Sequence, residues 1–256
     1  MFEEQENVDD HTESAESAAA AVEEAQETAE EEAAQPSFAI LFELDNLIGN
    51  ARYAAFEVLS GILKEKNITF TGPEFARYCL FSKPQYYIEA VQEAVGAKKL
   101  STAKLIEDVE SGIGLHLSSA KLDLPEGLKK IMEKGKARGI EFAAVSCLPP
   151  KILNALTSKL DLQSLGIKLF TFKEVERHFP RADAWLRVAK EMEIDPRSCL
   201  VLGTSQYACK SALTAGMRTV AVPDQLTGFQ DYGGSLMVVD NLDEIDLEEL
   251  FEYLPE

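Results

Sequence analysis

The chain has 256 residues, 44 acidic and 25 basic, for a formal net charge of −19. That length suits one α/β domain with an inserted subdomain, or two small domains, with a large apolar core. The charge argues against a general nucleic-acid or anionic-membrane binder, because both need a positive field facing phosphates. It is unevenly spread. Residues 1–36 hold 13 Asp or Glu and no Lys or Arg, while the other 220 hold 31 acidic and 25 basic residues. The first segment reads as a disordered acidic arm. Its large apolar residues are only Met1, Phe2, Val8 and Val22, too few to offset the entropy of ordering. It has neither the basic and apolar regions of a secretory signal nor the arginines of a transit peptide. A solvating arm is the plain reading, and a partner-binding arm is the other.

No run approaches the roughly 18 apolar residues of a membrane span. Cys79, Cys147, Cys199 and Cys209 form no CxxC pair, so they read as free, buried thiols in a reducing cytoplasm. His11, His116 and His178 show no metal-ligand spacing.

In chain order, Phe38–Leu44 (FAILFEL) predicts a buried parallel strand. Asp45–Asn50 is turn-rich. Residues 51–123 then read as an all-helical block: Arg52–Lys66, a helix opened by Gly72-Pro73, Lys83–Val95 and Thr102–Ile113. From Leu124 strands and helices alternate. Helices are predicted at Pro125–Arg138, Pro149–Leu160, Asp183–Met192, Ser205–Ala215 and Asp246–Tyr253. Strands are predicted at Ile140–Ser146, Ile167–Phe172, Cys199–Gly203, Arg218–Val222 and Ser235–Val239. Gly139 and Gly216 stop two of the helices. Repeated βα units imply a parallel sheet covered on both faces, with its site at the carboxyl ends of the strands. The segments to inspect are 43–50, 146–149, 172–183, 203–206 and 223–225.

These segments carry a resemblance. AILFELDNL resembles an apolar strand followed by D-x-D-G-T. IDPRSCLVLGTSQYACKSALTAGMRTVAVPD resembles D-P-x-x-x-L-V-x-x-D-S, then A-G-M, a strand and V-P. With a helical block between them, the chain over residues 37–225 is similar to the haloacid dehalogenase (HAD) superfamily. The branch is that of the β-phosphoglucomutases and phosphoglycolate phosphatases. The resemblance implies an α/β, Rossmann-like core formed by residues 37–50 and 124–256, with an inserted helical cap over 51–123.

Active members of this family are Mg²⁺-dependent phosphotransferases. Their first Asp attacks phosphorus, and the second serves as acid and base. A Ser or Thr and a Lys hold the phosphoryl group, and acids after the fourth strand hold the metal. Such chemistry is mostly charge neutralisation and positioning. Here the nucleophile position is Glu43, whose extra methylene shifts its oxygens by roughly 1.5 Å. Misplacement on that scale can cost on the order of 10²-fold. Asp45 keeps the acid/base position, and Asn46-Leu47 replaces Gly-Thr. Ser146 matches the phosphate-binding hydroxyl. The lysine position is Phe179, with His178 and Arg181 nearby. The metal acids align with Gly203 and Thr204, which carry no carboxylate.

Each retained group also has a plainer reading. Asp45 reads as an acid or as a turn residue bonding backbone N–H groups. Ser146 reads as an anion binder near a helix start or as a helix cap. Lys210 reads as a cation reaching the old metal position or as a solvated lysine. Cys147 reads as a reactive or a buried thiol. Phe81, Tyr86 and Tyr87 read as cleft-facing or as packing. The leading expectation is a catalytically impaired or inactive HAD-like pseudoenzyme in the cytoplasm. It would bind a protein partner or a phosphorylated small molecule, with no nucleic acid and no membrane. The alternatives are a weakly active phosphatase or phosphomutase, which alone would need Mg²⁺, and a purely structural subunit with a collapsed cleft.

Overall fold

A computed structural model describes residues 38–80, 83–119, 121–172 and 180–253. The acidic arm, Phe81, His178 and Phe179 lie outside them.

Six strands form one sheet: β1 (Ala39–Glu43), β2 (Glu141–Ser146), β3 (Ile167–Thr171), β4 (Cys199–Gly203), β5 (Arg218–Ala221) and β6 (Met237–Val238). Their order is β3-β2-β1-β4-β5-β6, and every pairing is parallel. The central strand β1 is buried throughout. Alternate side chains leave opposite faces of a strand, so this apolar run feeds two cores. Ile40, Phe42, Phe142, Leu200 and Leu202 belong to one. Ala39, Leu41, Val145, Cys199 and Val201 belong to the other.

Ten helices accompany the sheet among the described residues: α1 (Leu44–Leu47), α2 (Ala51–Glu65), α3 (Gly72–Tyr78), α4 (Ile88–Ala94), α5 (Thr102–Ser119), α6 (Glu126–Lys136), α7 (Pro150–Thr157), α8 (Ala182–Glu191), α9 (Gln206–Thr214) and α10 (Leu247–Glu252). On the second face, α8 and α9 pack through Trp185, Val188, Ala208 and Ala212. The Trp185 indole N–H donates to Ser211 Oγ at 2.9 Å, so the fully buried ring keeps its polar atom satisfied. On the first face, the apolar cluster runs without a break into the helices between β1 and β2. Leu59, Leu63, Phe75, Val109 and Leu117 belong to the same cluster as Phe42 and Phe142.

Local signals explain several boundaries. Thr71 and Glu74 form a reciprocal capping box that starts α3. Gly139 and Gly216 take φ of 72° and 82°, the left-handed turn that ends a helix ahead of a strand. Three predicted elements differ. Lys83–Val95 is not one helix: Pro84–Tyr86 is a short 3-10 turn, and Tyr87, at φ −132°, separates it from α4. Helix α5 runs on to Ser119 because its buried stripe continues through Leu117. The last strand shrinks from Ser235–Val239 to two residues at the sheet edge. No helix of the described residues is long and apolar enough to cross a membrane.

Candidate functional site

Four parallel strands end at one edge, so the residues just past them meet there. In register, Glu43 lies beside Val145, and Phe42 beside Leu202. Glu43 closes β1, Ser146 closes β2 and Gly203 closes β4, with Thr204 next. Asp45 sits in the single turn of α1 that follows β1.

Asp45 Oδ2 accepts the Cys147 backbone N–H at 3.0 Å and lies 3.6 Å from the Cys147 thiol. The nearby Ser146 hydroxyl also favours the charged form of this carboxylate. Asp45 Oδ1 is buried and has no partner among the described residues. Burial is the main influence on Asp45, and it outweighs these donors. With a smaller push from the Glu43 charge, it raises the carboxyl to about 6. Burial and the neighbouring Asp45 charge hold the Cys147 thiol well above its ordinary range. Cys147 is therefore a neutral thiol rather than a poised nucleophile. Ser146 Oγ accepts the Leu148 N–H at 3.2 Å, a local turn, while Pro149 takes the N-cap position of α7.

Glu43 turns toward β4. One oxygen, Oε2, accepts both the Thr204 N–H at 2.9 Å and the Thr204 hydroxyl at 2.7 Å. Both residues are buried. Behind Thr204 stands Arg52, in the first turn of α2. Its Nη1 pairs with Asp224 Oδ2 and reaches the Thr204 carbonyl at 3.5 Å; its Nη2 lies 3.4 Å from Thr204 Oγ1. Thr227 Oγ also donates to the Thr204 carbonyl, at 2.9 Å. Asp224 and Thr227 lie in the loop after β5.

Residues 40–222 match the family model described as haloacid dehalogenase-like hydrolase. The chain belongs to that family. It is 24% identical over 219 residues to YhcW of Bacillus subtilis (strain 168), a phosphatase by its provisional name. That match covers 84% of this chain and 97% of YhcW. The fold is shared with CbbY from Rhodobacter sphaeroides, solved in complex with phosphate. There the TM-score is 0.64 at 16% identity, over 80% of this chain and 95% of that one. It is shared too with a β-phosphoglucomutase from Clostridium difficile, at TM-score 0.62 and 17% identity, over 84% and 96%.

The HAD-like fold implies Mg²⁺, and the donor set here does not fit it. Mg²⁺ demands near-octahedral oxygen ligands with carboxylates among them. The Glu43 oxygen nearest Thr204 already accepts two hydrogen bonds, and the Thr204 carbonyl already takes two donors. A divalent ion about 4 Å from a guanidinium would be repelled by roughly 8 kcal/mol at an effective dielectric near 20. Among the described residues, no group of three or more His, Cys, Asp or Glu is placed to hold a metal ion. A Cβ on Gly203 would lie 2.6 Å from Cys209 Sγ, so a side chain there requires Cys209 to move.

Above this floor the helices between β1 and β2 close in. Glu43, Asp45, Arg52 and Cys147 line a cavity roofed by Phe75, Cys79, Tyr87 and Ile113. Its volume is about 60 Å³, room for a few waters against roughly 300–1,000 Å³ for ordinary ligand pockets. Tyr87 therefore faces the cleft as well as packing. Other sequence candidates lie elsewhere. Lys210 pairs with Asp231 at 2.7 Å on the surface, and Arg181 lies 3.6 Å from Asp183. Sequence reasoning missed Arg52, Asp224 and Thr227. A visible signal existed for Asp224, which lies in the segment 223–225 after β5, and Thr227 falls just beyond it. Arg52 gave none beyond a charge in the first turn of an amphipathic helix.

Proposed function

We propose that this HAD-like protein has given up phosphoryl transfer and acts as a binding or regulatory module. One observation carries the reading: where the family places metal acids, Thr204 hydrogen-bonds Glu43 and leans on a guanidinium. A substrate phosphate would meet Glu43 and Asp45 with no metal between them. The small enclosed volume favours a protein partner, with a phosphorylated small molecule as the competing ligand. The acidic residues among the first 36 would bias the choice of partner. Four buried free thiols fit a reducing cytoplasm.

A second reading is slow phosphatase or phosphomutase activity. Asp45 supports it, because its buried carboxyl near 6 is suited to proton transfer and it keeps its Ser146 neighbour. Mg²⁺-dependent hydrolysis of an aryl phosphate and a panel of sugar phosphates separates the two. The module reading expects no turnover above that of Asp45→Ala. Turnover abolished by Glu43→Ala establishes the enzyme instead.

A further inference from the structure

Two carboxylates meet at the Thr204 loop: Glu43, hydrogen-bonded to Thr204, and Asp224, paired with the Arg52 side chain that touches it, while Asp45 faces Cys147 instead. Like charges crowded in a partly dry site need a counter-charge. Arg52 is built to supply one. Its backbone N–H donates to Asn46 Oδ1 at 3.2 Å, which ties the start of α2 to the turn carrying Asp45. Its side chain is only 10% exposed. From there the guanidinium spans Asp224 and both oxygens of Thr204. The Thr204 hydroxyl accepts from Arg52 on one side and donates to Glu43 on the other. Asp224, Arg52, Thr204 and Glu43 thus form one continuous chain of polar contacts.

We propose that Arg52 is a resident cation that replaces a divalent ion as the counter-charge of this site and excludes metals from it. This deepens the non-catalytic reading above and rests on it. The fork suits the role, since a planar guanidinium keeps its charge at any working pH and bridges several oxygens at once. Two donors on the Thr204 carbonyl leave that oxygen no lone pair for a metal.

The test places carboxylates in the site and then varies Arg52. Mg²⁺ binding is measured by calorimetry and by the rise in melting temperature, at matched ionic strength. The proteins are Glu43→Asp/Thr204→Asp alone and the same pair combined with Arg52→Gln, Arg52→Met or Arg52→Lys. Arg52→Met preserves the volume of the stem and serves if the Gln variant does not fold. The double variant is expected to bind Mg²⁺ poorly. Neutralising Arg52 is expected to tighten binding tenfold or more, as removing a unit charge about 4 Å away requires. Arg52→Lys keeps the charge and is expected to bind as poorly as the double variant. Equal affinity with and without the Arg52 charge, or no binding in any variant, overturns the proposal. Neither result bears on turnover by the wild-type chain, which decides the non-catalytic reading separately.

Discussion

Thr204 gives both of its donors, the backbone N–H and the hydroxyl, to a single oxygen of Glu43. The longer reach of Glu lets the carboxylate cross from the end of β1 to the loop after β4. The side chain thereby ties the end of β1 to the loop after β4. Such an interaction suits a folded scaffold, since a charged acceptor roughly doubles the strength of each hydrogen bond.

Thr204→Val keeps the shape and the N–H donor but removes the hydroxyl. It is expected to lower the unfolding free energy by about 1–3 kcal/mol, because buried Glu43 loses a partner. Thr204→Ser is expected to lose less than about half of that. Urea unfolding of the three proteins gives the comparison. A Val variant as stable as wild type would show that the tie is not energetic.

Asp45 makes stability depend on pH. Its carboxyl stands at about 6 in the fold, against 3.8 ordinarily. Between those values the native state keeps a proton that the unfolded chain releases. The stabilisation is therefore full below about pH 4 and is lost as pH rises through 6. Asp45→Asn cannot titrate and keeps an acceptor for the Cys147 N–H. Relative to wild type it is expected to gain about 3 kcal/mol between pH 4 and pH 7, from a shift of about two units. Denaturant midpoints across that range test this, and parallel curves for the two proteins would refute it.

The Arg52–Asp224 pair is partly buried, with side chains 10% and 24% exposed. Arg52→Ala and Asp224→Ala are each expected to destabilise, and the double variant to cost less than their sum. The coupling in this cycle is expected at about 1–3 kcal/mol. High salt is expected to leave most of it in place, because screening acts mainly on exposed charges. A coupling near zero would place Arg52 outside the network.

Helices α2 and α5 touch at Val58 and Gly112. A Cβ at Gly112 would fall 2.3 Å from Val58 Cγ2. Gly112→Ala is expected to destabilise the wild-type chain by about 1–3 kcal/mol through overpacking. In a Val58→Ala background the same change is expected to become neutral or stabilising, since Ala exceeds Gly by about 1 kcal/mol in a helix. Thermal melts of the four proteins decide it, and an equal cost in both backgrounds would mean the helices do not meet there.

The sheet was legible because its signal is local. Runs such as AILFE, EFAAVS and CLVLG are short and largely apolar, which suits strands covered on both sides. Glu43, Asp45, Ser146 and Thr204 could be placed because each ends or follows a strand whose neighbours the βα order dictates. The break at Tyr87 was not legible, because Pro84 is as compatible with a helix start as with a 3-10 turn. Arg52 and Asp224 are 172 residues apart. Nothing local to either residue announces the other, and only the closed fold shows that they meet.

The packing at Gly203 couples the end of β4 to helix α9. A Cβ there would lie 2.6 Å from Cys209 Sγ, 3.3 Å from Cys209 N and 3.4 Å from Ala208 Cβ, so the bare backbone lets the helix approach the strand closely. Installing any side chain at 203 is therefore a two-site problem: the cysteine one turn into the helix must give way in the same step.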